Sequence, residues 1–159
     1  AYFEVGNITP AAEFNVYVDP EAADVVLRSG VPITMIPLDV SHGVLSYAHR
    51  VEAFRGIGNK AGDAVAAMID FSQHFDLEKY GSEGAPLHDP CVIAFVLKPD
   101  LFKGRHINVT IETASELTLG MTVADYWRIT DRPKNVLYLR TADDEGFYAL
   151  LTERLARLP

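Results

Sequence analysis

Two polar stretches that lie far apart in the chain carry side chains that could do chemistry. His88 can move a proton near neutral pH, and the carboxylate of Asp89 beside it can hold a hard cation. Asn7, Glu13 and Asn15 add amide and carboxylate groups near the N-terminus. A His-Asp pair alone is weak evidence, because such pairs also occur as hydrogen-bonding partners in loops. Its significance depends on the other polar groups.

Glu13 and Asn15 belong to a segment in which polar and apolar residues alternate up to Val18. If this segment is an extended strand, the two side chains project from the same face. A carboxylate accepts hydrogen bonds from hydroxyl groups and an amide both donates and accepts, so the pair suits a polyhydroxyl ligand. Considered without other information, the residues favour a plainer interpretation, namely a solvated strand face or a loop whose polar side chains cap a helix.

The elements that must position these groups alternate between strands and helices. Residues 2–5 are β-prone, and a helix is predicted from Pro20 to Leu27, with Asp19 as its N-cap and Gly30 as its stop. Residues 33–38 are then predicted to form a buried strand that is apolar on both faces, as a parallel sheet requires. This order indicates an α/β fold, in which ligands bind at the carboxyl ends of the strands.

The rest of the chain continues this alternation. Helices are predicted at residues 44–57, 61–75 and 91–97, strands at residues 107–111, 121–126 and 135–139, and a last helix from Asp143. The helix at 61–75 carries apolar residues at helical spacing, which we interpret as a buried stripe; they are Val65, Met68, Ile69, Phe71 and Phe75.

His88 and Asp89 are expected at a junction between a loop and a helix. Pro90 disfavours helical geometry at Asp89 and can begin the next helix, whose free backbone amides favour a carboxylate or an anionic ligand. Cys91 is better explained as a small buried residue than as a nucleophile. His42 fits a hydrogen-bonding residue in a loop better than a catalyst.

The composition limits the class of protein. The 159 residues are 48% hydrophobic and 23% charged, which fits a single globular region over residues 1–159. A net charge of −8 opposes nucleic-acid binding, and no apolar run reaches the ~20 residues that a membrane crossing needs. We therefore expect a soluble protein, and the single cysteine, which excludes an internal disulfide, fits a reducing, cytoplasmic compartment. The chain begins at Ala1 without a signal-peptide pattern, which fits a processed protein or a fragment of a longer one.

Three motifs, taken in their order along the chain, resemble those of a known family. They are Gly6–Asn15 followed by Asp19–Ala23, then Leu87–Pro90, and finally Glu112–Thr122. With this set the chain is similar, from end to end, to the inosine-uridine preferring nucleoside hydrolases. The resemblance implies an α/β fold with an open, mainly parallel, Rossmann-like sheet flanked by helices. It also implies Ca²⁺-dependent hydrolysis of the N-glycosidic bond of purine or pyrimidine ribonucleosides to ribose and free base, in nucleoside catabolism and salvage.

The resemblance assigns the N-terminal polar group to the sugar. Asn7, Glu13 and Asn15 would hold ribose hydroxyls, and Phe14 would line the sugar pocket. Such a reaction passes through an oxocarbenium-like ribosyl transition state, which needs electrostatic support, an activated water and an acid for the departing base. Bound Ca²⁺ gathers oxygen ligands and can position both the sugar and the water.

The resemblance assigns the second polar group to the metal and the base. Asp89 would be a Ca²⁺ ligand, and His88 would protonate the departing base. The segment from Gln73 to Tyr80 is expected to be a loop that faces the base, where Tyr80 would stack on it or hydrogen-bond to it. A packed loop aromatic remains an equal interpretation of Tyr80.

One family feature does not occur in this sequence. Members carry an Asp-rich segment of the form D-x-D-x-G-x-D-D near the N-terminus, which supplies most Ca²⁺ ligands and the base that activates water. The pair Asp143-Asp144 lies at a predicted helix start and lacks the glycine. Asp89 alone cannot fill the roughly six to eight oxygen positions that Ca²⁺ takes.

We therefore expect the C-terminal half of a nucleoside hydrolase, inactive when alone. Its expected partners are a ribonucleoside, the missing N-terminal half, and further copies of itself in a dimer or tetramer. The alternative is a non-catalytic module that binds ribose or a nucleoside, or serves as an interaction surface.

Overall fold

The computed structural model describes residues 3–81 and 83–159, except for the side chains of Asp76, Leu77, Lys79 and Tyr80. The chain forms two compact units. The first, which we call the sheet unit, contains residues 1–39 and 103–141, and the second, the helical unit, contains residues 40–102 and 142–159. Each unit is described by itself.

Helices and strands alternate along the chain, which confirms the α/β class. The helices are α1 (Phe14–Val18), α2 (Pro20–Arg28), α3 (Leu38–Ser41), α4 (Ala48–Arg55), α5 (Lys60–Tyr80), α6 (Pro90–Leu97) and α7 (Asp144–Leu155), and a 3₁₀ turn spans Pro99–Leu101. The strands are β1 (Ile33–Met35), β2 (Leu45–Ser46), β3 (Ala85–Pro86), β4 (Phe102–Ile111), β5 (Thr122–Asp125) and β6 (Val136–Ala142).

The sheet unit is built on a mixed sheet with the strand order β1-β6-β4-β5. Strand β1 runs parallel to β6, with Ile33 opposite Val136, and β4 runs antiparallel to β5, with Asn108 opposite Asp125. Alternate residues of β4 enter one hydrophobic core together with residues of α2, β5 and β6; its buried members are Leu27, Ile107, Val109, Ile111, Ala124, Tyr126, Val136 and Tyr138. The predicted antiparallel pair and the strand near residue 136 are therefore confirmed.

Helix α2 begins and ends where the sequence predicts. The Asp19 carboxylate accepts the backbone N–H of Ala22 at 2.8 Å, and Pro20 occupies the first turn, where its missing N–H costs nothing. Gly30 follows with a φ of +78°, a left-handed conformation that glycine adopts without strain. Leu27 on this helix is buried in the core of the sheet unit. Local signals thus determine this helix.

The helical unit is held by a buried cation between two helices. The guanidinium group of Arg50 on α4 lies 2.7 Å from the Asp144 carboxylate and 2.5 Å from that of Glu145, both in the first turn of α7. It also donates to the carbonyl of Leu45 at 2.8 Å. Arg50 therefore fixes α4 against α7 and contacts the first residue of β2.

Three predicted elements differ from those observed. The predicted strand at residues 33–38 ends at Met35, and the chain enters α3 at Leu38. Pro37 has no backbone N–H with which to continue a ladder, which explains the early end. Residues 3–5 form no strand, and the predicted helix at 44–57 begins only at Ala48, after β2.

The prediction of a fully buried stripe on α5 was wrong. Ile69 is buried and Val65 is half-buried, but the side chains of Met68, Phe71 and Phe75 are exposed. Helical periodicity predicts which residues share a face, whereas burial also requires a partner for that face. Among the described helices, none is both long and apolar enough to span a bilayer.

Candidate functional site

The first candidate group lies at the start of α1, in the sheet unit. The backbone N–H groups of Gly6 and Asn7 donate to the carbonyls of Pro10 and Ala12, each at 3.1 Å, and close a tight loop. A Cβ atom on Gly6 would lie 2.0 Å from the carbonyl oxygen of Thr9, so only glycine fits there. This loop brings Asn7 beside α1.

Asn7 and Glu13 together determine how α1 starts. The Asn7 Oδ1 atom accepts the backbone N–H of Phe14 at 2.8 Å. Glu13 is the N-cap, and its Oε2 atom accepts the N–H groups of Asn15 at 2.9 Å and of Val16 at 3.3 Å. The predicted extended strand at residues 13–18 is therefore wrong, and the alternative of a polar residue that caps a helix is correct for Glu13.

Polar atoms remain available at this helix start. Glu13 Oε1 and the side-chain amide of Asn15 make no hydrogen bond with any residue that the structure describes. The ring of Phe14 between them is about half exposed. The structure thus brings Asn7, Glu13, Phe14 and Asn15 together at the start of α1, where the Glu13 Oε1 atom, the Asn15 amide and the Phe14 ring are not used by the helix cap.

The segment after β4 supports this turn. Ala12 forms an isolated antiparallel bridge with Met121. Gly120 has a φ of +77°, and a Cβ atom there would lie 3.1 Å from the Cα atom of Tyr17 on α1. Glu112 accepts the backbone N–H groups of residues 114 and 115, which lowers its carboxyl pKa. The third motif, Glu112–Thr122, therefore packs against α1 and against Ala12, which precedes it.

The second candidate group, His88 and Asp89, lies in the helical unit after a short antiparallel ladder. Strands β2 and β3 pair, with Ser46 opposite Ala85, and the Ser46 hydroxyl donates to the Ala85 carbonyl at 2.8 Å. One residue before His88, the Leu87 N–H donates to the Val44 carbonyl at 3.0 Å. The ladder therefore fixes the backbone that leads to His88.

The ring of His88 is held by a serine that the sequence did not reveal. Its Nδ1 atom lies 2.7 Å from the hydroxyl oxygen of Ser41. Ser41 is buried, with 3% of its surface exposed, whereas His88 is exposed. The ring of His42 lies nearby, with its centroid 5.8 Å from that of His88. The only advance signal was that Ser41 follows β1 at its carboxyl end.

Asp89 occupies the N-cap position of α6, which confirms the predicted junction between loop and helix, but the expectation that Pro90 keeps Asp89 out of helical geometry is wrong. Its backbone is already helical, and its side chain makes no cap hydrogen bond. Its carboxylate is exposed and has neither a hydrogen bond nor an ion pair among the described residues. Both carboxylate oxygens are therefore open to a cation.

A complete metal site is not found in the part of the chain that the structure describes. No group of three or more His, Cys, Asp or Glu side chains there could hold a metal ion. A free carboxylate such as that of Asp89 suits Ca²⁺, but it would supply a minority of the roughly six to eight oxygen ligands. The described residues therefore include one carboxylate, that of Asp89, which could be a single ligand of such an ion.

Cys91 is a buried structural residue, as the sequence predicts. It has no exposed surface, and its Sγ atom donates to the Leu87 carbonyl at 3.1 Å. Burial, with a smaller contribution from the Asp89 charge, raises the thiol pKa to about 12. A thiol with that pKa is protonated at neutral pH and does not act as a nucleophile.

The prediction for Tyr80 concerns a side chain outside the described part. The backbone at residues 73–80 belongs to α5, so the predicted loop over these residues is wrong. A cavity of about 640 Å³ in the sheet unit is lined by residues such as Leu137, Asn108 and Lys134. None of the predicted site residues lines it.

The chain matches known proteins over its whole length. The family described as inosine-uridine preferring nucleoside hydrolase matches residues 1–149. An uncharacterised protein of Schizosaccharomyces pombe is 52% identical over 159 residues, which are 100% of this chain and 51% of that protein. The pyrimidine-specific ribonucleoside hydrolase RihA of Photobacterium profundum is 50% identical over 154 residues, 96% of this chain and 50% of that enzyme.

Solved structures agree with the sequence matches. A purine-preferring ribonucleoside hydrolase from Gardnerella vaginalis superposes with a TM-score of 0.86 at 31% identity, over 98% of this chain and 49% of that one. The plant nucleoside hydrolase PpNRh1 gives a TM-score of 0.88 at 27% identity, over 99% of this chain and 52% of that one. The chain spans about half the length of the curated relatives it matches.

Proposed function

The chain belongs to the inosine-uridine preferring nucleoside hydrolase family, and from this membership we propose that it contributes to hydrolysis of the N-glycosidic bond of ribonucleosides. The products are ribose and a free purine or pyrimidine base. Two of the proteins named above are called pyrimidine-specific and purine-preferring, so both base classes occur among similar proteins. The base that this protein prefers, its oligomeric state as a dimer or tetramer, and a cytoplasmic location stay predictions.

The observation that carries the proposal is the pair of free polar groups at the start of α1. Glu13 Oε1 and the Asn15 amide have no partner among the described residues, although they lie beside a well-ordered helix cap. Adjacent hydroxyls of ribose can donate to the carboxylate and exchange hydrogen bonds with the amide. The half-exposed ring of Phe14 offers an apolar surface to the sugar. Asn7, through Phe14 N–H, fixes this arrangement.

His88 is the proton donor in this proposal. As the bond between the sugar C1′ and the base nitrogen breaks, the electron pair leaves with the base, which needs a proton to depart as a neutral molecule. Water adds to C1′ and loses a proton, so the products balance as ribose and base. An exposed imidazole whose Nδ1 atom is held by Ser41 suits the transfer of that proton.

Asp89 is the residue of this chain that would bind Ca²⁺. When bound, the ion orients sugar hydroxyls and the water that attacks. Its remaining oxygen ligands would come from residues outside the described part of this chain. We assign them to a preceding half of the protein, because the matched relatives are about twice as long and the family resemblance places the Asp-rich segment near the N-terminus.

Helix α6 supports the assignment of a second half. Its eight residues are all apolar apart from Cys91, yet Val92, Ile93, Val96 and Leu97 are 51%, 62%, 73% and 48% exposed. A helix that is hydrophobic on every side is ordinarily buried. Beside it, an apolar groove of about 390 Å³ runs between α6 and α7, lined by Ile93, Leu97, Phe147 and Leu150 among others. In the proposal the preceding half covers this face.

The test compares the 159-residue chain, the preceding half expressed separately, and the product of the complete open reading frame. Release of base from inosine and uridine is followed with and without Ca²⁺. We expect activity from the complete product and from the mixed halves, and none from either half alone. Robust activity of the 159-residue chain alone would contradict the need for a second half. A complete product that hydrolyses no nucleoside would contradict the function itself.

The second candidate is a non-catalytic module that binds ribose or a nucleoside. It is favoured by the combination of free sugar-binding groups at α1 with a single free carboxylate at α6. Calorimetric titration of the 159-residue chain with ribose and with uridine separates the two. Saturable binding without Ca²⁺, together with an inactive complete product, supports the module.

A further inference from the structure

The contact between Ser41 and His88 joins a buried hydroxyl to an exposed ring within the helical unit. The Ser41 oxygen lies 2.7 Å from His88 Nδ1, and 3% of Ser41 is exposed. No other described residue is a partner of this hydroxyl. A buried hydroxyl that loses its partner is destabilising, so the contact restrains both side chains. It therefore fixes one edge of the imidazole ring.

The backbone brings the two residues together through a common frame. The Val44 N–H donates to the Ser41 carbonyl at 3.0 Å, and the Leu87 N–H donates to the Val44 carbonyl at 3.0 Å. Ser41 and His88 thus flank a chain of two hydrogen bonds that starts the β2–β3 ladder. Gly84 permits the close approach of the segments, since a Cβ there would lie 3.0 Å from the backbone of Ser46. Backbone hydrogen bonds and close backbone packing therefore hold the segments that carry Ser41 and His88.

A hydroxyl is chemically suited to hold a histidine that changes its protonation state. It accepts a hydrogen bond when Nδ1 carries a proton, and it donates one when Nδ1 does not. When Nε2 gives up its proton, Nδ1 keeps its own, so the Ser41 hydroxyl can accept from Nδ1 throughout that step. Because the two ring nitrogens lie on different edges of imidazole, anchoring Nδ1 at Ser41 turns Nε2 away from the serine.

We propose that Ser41 is the positioning residue of His88, and that it aims Nε2 at the nitrogen of the departing base. Ser41 acts through the ring and does not touch the substrate. The proposal rests on the proposed function, because it requires His88 to be the proton donor. It predicts that loss of the Ser41 hydroxyl lowers kcat for nucleosides whose base must be protonated to leave. It should lower kcat much less for substrates whose leaving group needs no proton.

The test uses the product of the complete open reading frame with Ser41→Ala and Ser41→Thr. For Ser41→Ala we expect kcat on inosine or uridine to fall about tenfold, a part of the roughly 10²–10⁴ that a general acid supplies. The kcat on a nitrophenyl riboside, whose leaving group needs no proton, should change by less than about twofold, and KM should stay the same for both. Ser41→Thr keeps a hydroxyl and should restore most of the loss.

Ser46→Ala is the matched control. Ser46 is also fully buried in the same frame, and its hydroxyl donates to the Ala85 carbonyl at 2.8 Å. Its loss should lower thermal stability and reduce turnover of natural and nitrophenyl substrates by the same factor. If Ser41→Ala behaves like Ser46→Ala, or if Thr does not rescue it, Ser41 is merely structural and the proposal fails.

A measurement without turnover separates the proposal from the proposed function. Long-range ¹H–¹⁵N spectra report which nitrogen of His88 carries the proton. Ser41→Ala should change the tautomer populations of His88, and Ser41→Thr should leave them as in the unaltered protein. Unchanged spectra in Ser41→Ala overturn the positioning role, even in an active enzyme. If the complete protein hydrolyses no nucleoside but Ser41→Ala changes the His88 spectrum, the proposed function is contradicted. The contact between Ser41 and His88 is then still supported.

Discussion

Glu13 caps the helix that carries Asn15, since its Oε2 atom accepts the Asn15 backbone N–H at 2.9 Å. One carboxylate oxygen is thereby committed to the fold, while Oε1 has no partner among the described residues. The same side chain can therefore stabilise α1 and bind a sugar hydroxyl. A substitution that keeps the cap and removes the second oxygen separates the two roles.

Glu13→Ser in the complete protein should preserve the fold and lose substrate binding. Serine is a good N-cap, so α1 should remain, but it has no second oxygen for a ribose hydroxyl. A hydrogen bond to a charged group is worth about 1.5–3 kcal/mol, so kcat/KM for inosine should fall roughly 10- to 100-fold. Asp19→Ser, at the cap of α2, is the control and should keep full activity. Equal effects of the two substitutions would show that Glu13 acts only as a cap.

His88→Ala should lower turnover most for bases that are poor leaving groups. Removal of a general acid costs about 10²–10⁴ in rate where the base must be protonated. A nitrophenyl riboside bypasses that requirement, so its kcat should be nearly unaffected. Steady-state kinetics on both substrates provides the measurement. Equal losses on the natural and the activated substrate would argue against a role of His88 as the acid.

Local chemistry explains which elements the sequence could predict. Asp19, Pro20 and Gly30 act within their own segment, and α2 accordingly has the predicted bounds within one residue. The segment at 13–18 alternates in a way that fits a strand, but the local Glu13 cap, together with the Asn7 side chain that accepts the Phe14 N–H, starts a helix there. Part of this helix start therefore comes from a residue seven positions before Phe14, which alternation within the segment does not show.

Longer-range contacts explain what the sequence could not reveal at the site. Ser41 and His88 are 47 residues apart and meet only because β2 and β3 pair. Similarly, helical spacing identified the apolar face of Met68 and Phe71, but burial depends on a partner that the described residues do not provide. The motifs predicted where polar groups occur, and the fold determined which of them touch.

Gly6→Ala should disrupt the turn that presents Asn7. A Cβ atom would lie 2.0 Å from the Thr9 carbonyl oxygen and 2.4 Å from that of Ala12, and both are backbone atoms that cannot move alone. We expect a loss of about 2–4 kcal/mol in the free energy of unfolding, measured by denaturant titration of the complete protein. Gly56→Ala is the control, because Gly56 has helical dihedrals and its nearest neighbours lie 3.4 Å away. A neutral Gly6→Ala would contradict the geometry of this turn.

Acid should weaken the sheet unit through Asp125. The Thr130 hydroxyl, followed by the backbone N–H groups of Thr130 and Ile129, lowers the pKa of this carboxyl. Since an unfolded Asp has a pKa of about 3.9, the contact contributes stability above that pH and loses it as the pH falls through the lower folded-state value. Unfolding of Asp125→Asn should therefore depend less on pH between about pH 5 and pH 2 than unfolding of the unaltered protein.

Asp131→Asn is the matched control for Asp125. Asp131 lies in the same connection between β5 and β6, is exposed, and has no hydrogen bond or ion pair among the described residues. Its substitution removes one carboxylate without removing a hydrogen bond, so it shows how much of any change in Asp125→Asn comes from the loss of a charge alone. The same pH dependence in both variants would show that the Asp125 contacts do not persist in solution.

Val96→Glu tests whether the exposed face of α6 is covered in the complete protein. Val96 is 73% exposed in this chain, so a glutamate there should leave the stability of the 159-residue chain nearly unchanged and should reduce its aggregation. If a preceding half packs on α6, the same charge becomes buried without a partner, and the complete protein should lose about 2–4 kcal/mol of unfolding free energy. Val25→Glu on α2, where the valine is 68% exposed, provides a charge of the same kind on another apolar position. A complete protein that tolerates both substitutions equally would show that α6 stays exposed, because a covered face and an open one respond differently to the same charge.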